Sequence, residues 1–472
     1  MKSARKSAFP KRRGFALIIS MIFVLIFSAL ALSMAALSGT NVQIADNLCK
    51  ANRARASAES GLEIVRFWLS NIAIPGTTPP EMQLYEIANS LQSYLAANNP
   101  NVTAYCQTVN IPNGPYYASM ALHISTVALD SDSGHTFSAQ IAQIDPETLR
   151  LTVTGVFGSF TKTISVNYVF GQRANTVFDF GVASRGPLSL AGNIELEGVN
   201  VSVDASVYIE SESSNLALSI IGNSHIAGDV SIVNPVANVL LQGGKAGIGG
   251  ETGEDAIDNH VTFGVPPSEF PEPVPSYFEA YATNIVDSNT NTSADATFEN
   301  IRILPATNPN FSGHVTLKGV VFVETPNVVT FTGGATVMAI IVGDGDIQDN
   351  SKTNQINFTG NVSSLPVSSL PDLPQFQGIR EETGTFVMAP GFGLSFGGNF
   401  DALCGAIAGN GIEFYGNAGG VINGSVINYS GEDMTLTGNS DLYFNRSGIT
   451  EAPAGFVPEI ILEYDPDSYS EI

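Results

Sequence analysis

The chain has 472 residues, 46 Gly, 25 Pro, 44% hydrophobic and 14% charged residues, and a formal net charge of −24. This length suggests two or three domains, and hydrophobicity this high excludes a wholly disordered chain. Charge is unevenly placed: positions 1–100 hold ten Lys/Arg and five acids, a net of +5, which leaves −29 on the rest of the chain. A body this acidic repels phosphates and argues against nucleic acid as a partner. Three cysteines (Cys49, Cys106, Cys404) are too few for a disulfide scaffold and too scattered for a zinc site.

The first thirteen residues, MKSARKSAFPKRR, carry six positive charges and no acid. Gly14 then opens an apolar run from Phe15 to Leu37, broken only by Ser20, Ser28 and Ser33. As a helix that run spans about 35 Å, enough for a hydrocarbon core of about 30 Å. The basic flank keeps its N-terminal side in the cytoplasm and sends the rest outward. The run is too long for the apolar region of a secretory signal peptide. A plain, unprocessed membrane anchor remains open at this point.

The junction Arg12-Arg13-Gly14-Phe15-Ala16-Leu17-Ile18 resembles the leader of type IV prepilins: basic residues, Gly, Phe, then an apolar helix. The resemblance implies that an inner-membrane prepilin peptidase cuts between Gly14 and Phe15 and methylates the new N-terminal Phe. Major pilins usually carry Glu at the fifth mature position, where this chain has Ile19. Several minor pilins and pseudopilins also lack it, so the departure bears on subtype.

After Leu37 no Pro occurs until Pro75, and Ile44, Leu48, Ala51, Arg55, Ala58, Leu62, Val65 and Leu69 recur at steps of four and three. That spacing predicts one stripe of an amphipathic helix, interrupted by Arg55. Joined to the apolar run it makes a helix of about 59 residues and about 88 Å. Gln43-Ile44-Ala45-Asp46-Asn47-Leu48, followed by Ala54, Ala58-Glu59 and Gly61-Leu62, resembles the N-terminal segment of PilX-type minor pilins. With the junction, the resemblance covers about residues 12–66.

Pro75, Gly76, Pro79 and Pro80 end the long helix, and a shorter one is predicted over Glu81–Asn98, with Leu84, Ile87, Ala88, Leu91 and Leu95 on one face. Alternation takes over from Tyr116, with clear strands at Phe137–Ile144, Leu149–Phe157 and Phe160–Phe170. Asp145-Pro146-Glu147 and Gly158-Ser159 are the turns between them.

Beyond residue 172 helix signals almost vanish, and short β-rich runs alternate with Gly-Asn and Gly-Asp punctuation. Gly-Asn pairs open at Gly192, Gly222, Gly398, Gly416 and Gly438. The steps between the last three, about 20 positions each, match one coil of a parallel β-solenoid. Regular short strands also suit a β-sandwich. Two Pro-rich stretches, Val265–Ser276 and Leu365–Pro374, are expected to be loops leaving the coils, because Pro cannot donate to a ladder. The closing EIILEYDPDSYSEI is expected to be an exposed acidic end.

Catalysis is not expected. Residues 173–472 hold only eight basic residues, scattered over 300 positions, and no pattern resembles the Arg/Lys sets of polysaccharide lyases or the paired acids of hydrolases. Asp344, Asp346 and Asp349 have the short spacing of Ca²⁺ ligands, but Gln355 stands where an EF-hand loop has its last acid, which leaves a solvated turn. His123, His135, His225, His260 and His314 lack metal-ligand spacing. No catalytic residue, cofactor site or metal site is therefore assigned.

The fold class expected is an α+β pilin-like N-terminal domain, a long helix on an antiparallel sheet, followed by an all-β right-handed parallel β-helix. Residues 1–14 would be the leader, 15–37 the membrane-spanning part, 38–172 the head and 173–472 the β-helix. The functional expectation is a non-enzymatic minor pilin or pseudopilin. Its partners would be other pilin subunits, the pilus assembly machinery, the prepilin peptidase and the inner membrane. The chain would cross the inner membrane once, N-terminus in the cytoplasm, and reach the periplasm or the pilus surface. A surface polysaccharide is a candidate ligand of the solenoid. The competing readings are a membrane-anchored carbohydrate-binding or carbohydrate-active β-helix protein and a purely structural envelope protein. Cys49 is expected to be a buried small residue on the long helix. Cys106 and Cys404 would be unpaired or would join the two domains, since disulfides persist outside the cytoplasm.

Overall fold

The computed structural model describes residues 15–108, 120–130, 134–211, 215–348, 352–446 and 452–471. Gly14, Asp349 and residues 116–119 lie outside them. A long apolar N-terminal helix is followed by a large β-rich region. The chain forms two compact units: one of the described residues up to Ile74, Thr78–Gly171 and those from Ile461 on, the other of Pro75–Thr77 and Gln172–Ile460.

In the first unit α1 runs Phe15–Leu69, 55 residues, a little shorter than the spacing predicts. It stops because Asn71 and Ile72 donate back only three residues, to Trp68 and Leu69, and tighten the last turn. The chain then enters the short strand β1, Ala73–Pro75. Helix α2, Pro80–Asn98, starts with Pro at the position where a missing N–H costs nothing. It buries Leu84, Ile87, Ala88, Leu91 and Leu95, the face the sequence predicts, and Gln83 beside them. Strands β2 (Ala104–Thr108), β3 (Met120–Ala128), β4 (His135–Asp145), β5 (Thr148–Phe157) and β6 (Phe160–Arg173) form an antiparallel meander. The Asp145 carboxylate accepts from the Glu147 N–H at 2.9 Å and fixes the first turn.

The closing segment corrects an expectation. Strand Glu459–Glu471 ends exposed, as expected, but not as part of the second unit's stack: it lies between β1 and β6 in the sheet of the first. Ser470 meets Ser165 at 2.8 Å and the Ser468 hydroxyl accepts from the Asn167 N–H at 2.7 Å, so the strand runs antiparallel to β6. Residues 461–472 thus belong with the first unit, and the second unit is inserted between the last two strands of the first unit's sheet.

In the second unit the chain repeatedly lays down three short strands that stack in parallel on their counterparts. Val182–Ser184, Leu188–Gly192 and Glu195–Gly198 are followed by Val207–Ile209, Leu216–Gly222 and His225–Ile226, each pairing in parallel with the strand before it. Later repeats vary in length: Val315 on Ala335 and Ile407 on Val426 are short, and Ile341 on Val387 is long. The order in the stack is not the order in the sequence. The chain begins in the middle and winds out to Val261–Phe263 at one end of the first sheet. It resumes at the other end with Asn284–Val286 and winds back until Val426–Asn428 pairs with Val182–Ser184.

Inside the stack the side chains form ladders. Phe311, Phe331, Phe358, Phe396 and Phe414 stack with centroids 4.9–5.1 Å apart, and the register continues through Leu436, Leu190, Ile220 and Leu241. At the corner after these strands Gly192 has φ +135° and Gly438 φ +89°, and a Cβ on Gly192 would sit 2.2 Å from the Gly438 carbonyl oxygen. Only Gly fits there. The Asn after each Gly joins a second ladder: Asn223 donates to Asn193 at 2.8 Å, Asn193 to Asn439 at 2.9 Å, and Asn439 to Asn417 at 3.3 Å.

The Pro-rich stretches leave the coils as expected but do not project. Phe270, Phe278, Phe376 and Ile379 pack on the outer face of the first sheet, against Tyr208, Phe322, Ile340 and Ile427, so that sheet is buried on both faces. The Tyr429 hydroxyl donates to the Pro271 carbonyl at 2.5 Å and ties the crossing segment down.

All three cysteines are free. Cys49 is exposed rather than buried, because the burial of α1 begins only at Ala54. Thiol counting under denaturing, non-reducing conditions is expected to find three free thiols; a count of one would reveal a disulfide.

Candidate functional site: an unburied apolar helix

The feature most in need of a partner is the first half of α1. From Phe15 to Leu37 every residue is exposed, including Phe15 at 66%, Leu17 at 67% and Leu32 at 72%. This segment is long and apolar enough to cross a membrane, and none of it is buried in the protein, which sets it apart from the core helix of a soluble domain. Covering a large apolar side chain is worth about 1.5–3 kcal/mol, so leaving this run in water costs on the order of tens of kcal/mol. The polar breaks are muted: Ser20 donates to the Leu17 carbonyl at 2.9 Å, a bond available in lipid as in water. The first turn holds no acid, and Ile19 presents an apolar surface there.

The second half of α1 is built differently. Ala54, Ser57, Ala58, Gly61, Leu62, Val65, Trp68 and Leu69 are buried. The stripe predicted from Ile44 onward is therefore half right: Ile44 and Leu48 are 59% and 60% exposed. The small residues of the Ala54–Leu62 element have a physical reason. A Cβ on Gly155 of β5 would lie 2.2 Å from the Ala58 nitrogen and 2.3 Å from the Ala54 oxygen, and one on Gly61 would strike the Phe137 ring. Helix and sheet approach closely only because these positions are Ala and Gly. Ser57 meets the Nδ1 of His135 at 2.8 Å across the same contact.

Arg55 does not break the stripe, because its guanidinium points away. It pairs with Glu59 at 2.9 Å and with Glu471 of the returning strand at 2.7 Å. The Glu59 hydrogen bond, then the charge of Glu471, hold its pKa above the usual arginine value. Lys50 and Asp46 pair one turn apart at 2.6 Å on the exposed side.

Elsewhere, Asp344 and Asp346 are exposed beside a cleft of about 620 Å³, and Asp346 caps a turn by accepting from the Gln348 N–H at 3.0 Å. His123 stacks on Tyr105 at 5.6 Å. His225 and His260 each face carboxylates, a juxtaposition set by coil register rather than by any spacing visible in the sequence. Phe15 is the first residue of α1; the Gly14 side of the junction lies outside the described residues.

No family model matches this sequence, and no curated protein matches it. Among solved structures, one similar chain is the competence-associated pilin ComZ from Thermus thermophilus, at 11% identity. The alignment covers 90% of this chain and 97% of that one, with a TM-score of 0.22. A likeness that distant transfers neither fold nor function.

Proposed function

We propose that this chain is a pilin-like subunit, of the PilX-type minor kind, that inserts into the inner membrane through Phe15–Leu37, is trimmed after Gly14, and assembles with other pilins. The observation that carries this reading is α1 itself: one unbroken helix, bare and apolar in its first half and packed on an antiparallel sheet in its second. A helix of that kind can pass from lipid into a bundle of like helices, keeping its apolar surface covered throughout. The second unit, read as a parallel β-helix, is then a displayed structural or binding surface, and the subunit catalyses nothing.

The reading extends to position. In the resembled family the fifth-position Glu is thought to neutralise a neighbour's N-terminal amine inside the apolar core, and an unpaired buried charge costs roughly several kcal/mol. Ile19 cannot do this, so stacking this subunit throughout a filament repeats that cost, whereas one copy at an end avoids most of it. The inserted unit, Gln172–Ile460, would also crowd a packed shaft. Immunogold labelling of sheared filaments is expected to mark ends. Regular labelling along the shaft would overturn the tip placement, and retention of all protein in the membrane fraction would overturn assembly.

A further inference from the structure

In the second unit Glu195 and Glu197 stand two residues apart on one strand, so both side chains leave by the same face while Leu196 between them is buried. The parallel register sets His225 of the next coil beside Glu195, and Tyr443 of the preceding layer beside Glu197. One ring nitrogen of His225 and one oxygen of each Glu lie within 4.8 Å of one another. His225 Nε2 is 3.3 Å from Glu197 Oε1, and the Tyr443 hydroxyl donates to Glu195 Oε2 at 3.5 Å. Asp441 adds another carboxylate, accepting from the Glu195 N–H at 3.2 Å. Among the described residues, no Lys or Arg lies within salt-bridge distance of Glu195 or Glu197; the basic side chain there is the His225 imidazole.

We propose that Glu195, Glu197 and His225 bind a divalent transition-metal ion of the zinc type, with an open side toward solvent. Zinc holds imidazole nitrogen and carboxylate oxygen at about 2.0–2.2 Å, so neighbouring tetrahedral ligands sit about 3.3–3.5 Å apart. The His225–Glu197 pair already has that spacing, and the other two edges, both to Glu195 and both within 4.8 Å, need only a rotation of the Glu195 side chain to shorten. An imidazole in the set favours zinc-like ions over calcium or magnesium, which prefer oxygen alone. The three donors come from strands pinned on both sides by neighbouring coils, so little ordering is needed on binding. The side chains of His225 and Glu197 are 32% and 41% exposed, which leaves a path from solvent. The other His–acid group serves as a control. His260 faces Asp229 through Nδ1 at 2.8 Å and Glu251 through Nε2 at 3.8 Å, so its two acids lie on opposite ring nitrogens and cannot share one ion with the ring.

The test is calorimetric titration of Zn²⁺ into the full chain, detergent-solubilised and stripped with chelator. One saturable site per chain is expected, together with a zinc-dependent rise in melting temperature. X-ray absorption at the zinc edge should show one imidazole among oxygen donors. His225→Ala and Glu197→Gln should each weaken binding tenfold or more, and Glu195→Gln does the same and replaces either variant that fails to fold. His260→Ala should leave binding within twofold. Undiminished binding in the Glu195, Glu197 and His225 variants, loss of binding in His260→Ala alone, or the absence of a saturable site would overturn the proposal.

Discussion

Replacing Phe358 by Ala is expected to cost the second unit about 3–5 kcal/mol, the range for emptying a buried aromatic position. Phe358 is 1% exposed and lies between Phe331 and Phe396, with centroids at 5.0 and 5.1 Å and rings within 8° and 11° of parallel. Its strand, Gln355–Phe358, is hydrogen-bonded to one coil on each side, so the backbone cannot collapse into the space left by the ring. The cavity therefore stays, and both neighbouring rings lose contact on one face. Phe358→Leu should cost far less, because Leu436 and Leu190 fill equivalent rungs of the same ladder. Thermal unfolding of the solubilised chain should show the Ala variant melting roughly 6 °C or more below the parent. A shift no larger for Ala than for Leu would mean that the ladder does not support the stack.

Gly155→Val acts on the other unit. The new Cβ would lie 2.2 Å from the Ala58 nitrogen and 2.3 Å from the Ala54 oxygen, both backbone atoms with no rotamer to yield. The helix must lift from β5, and Leu62, Val65, Trp68 and Leu69, which are at most 5% exposed, lose contact with the sheet. Overpacking of this kind costs about 1–3 kcal/mol or more, and a rigid helix puts it at the upper end. Trypsin should then cut faster at Arg53, Arg55 and Arg66. Gly39→Ala is the matched control, since nothing lies within 4 Å of its added carbon, and it should leave the cleavage rate unchanged. Equal protease resistance in the Val variant would refute the close approach.

Local features were legible in the sequence and non-local ones were not. The extents of α2 and of β4–β6 follow from periodicity and turn residues and agree with the structure to within about three residues. Some strand registers keep the step of about 20 seen in the Gly-Asn pairs, as in Val315 on Ala335 and Ile407 on Val426, and others, such as Ile341 on Val387, do not. What closes the stack does not follow from that spacing: Asn193 bonds to Asn439, 246 residues away, because the chain starts mid-stack and returns to its starting coil. Two Gly residues at such separation look no more related than any other two. The return of Glu459–Glu471 to the first unit's sheet was hidden by acidic residues that suggested a solvated end; Glu463, Asp467 and Glu471 are indeed exposed, yet Glu471 finds Arg55 and Ser468 finds Asn167. The stripe on α1 was read too far toward the N-terminus because Ile44 and Leu48 keep the helical spacing after the sheet has ended. The juxtaposition of Glu195, Glu197 and His225 was not legible for the same reason as the closure: a whole coil separates acid from imidazole, and only coil register makes them neighbours. A Glu-x-Glu pair on an alternating strand, one coil before a His, was the available signal.

The most direct test of the pilin-like reading is the N-terminus of the protein extracted from membranes, sequenced chemically or by mass spectrometry of the terminal peptide. The account predicts a chain beginning at Phe15 with a methylated amine. A chain beginning at Met1, or one cut between Ala36 and Thr40, would contradict it.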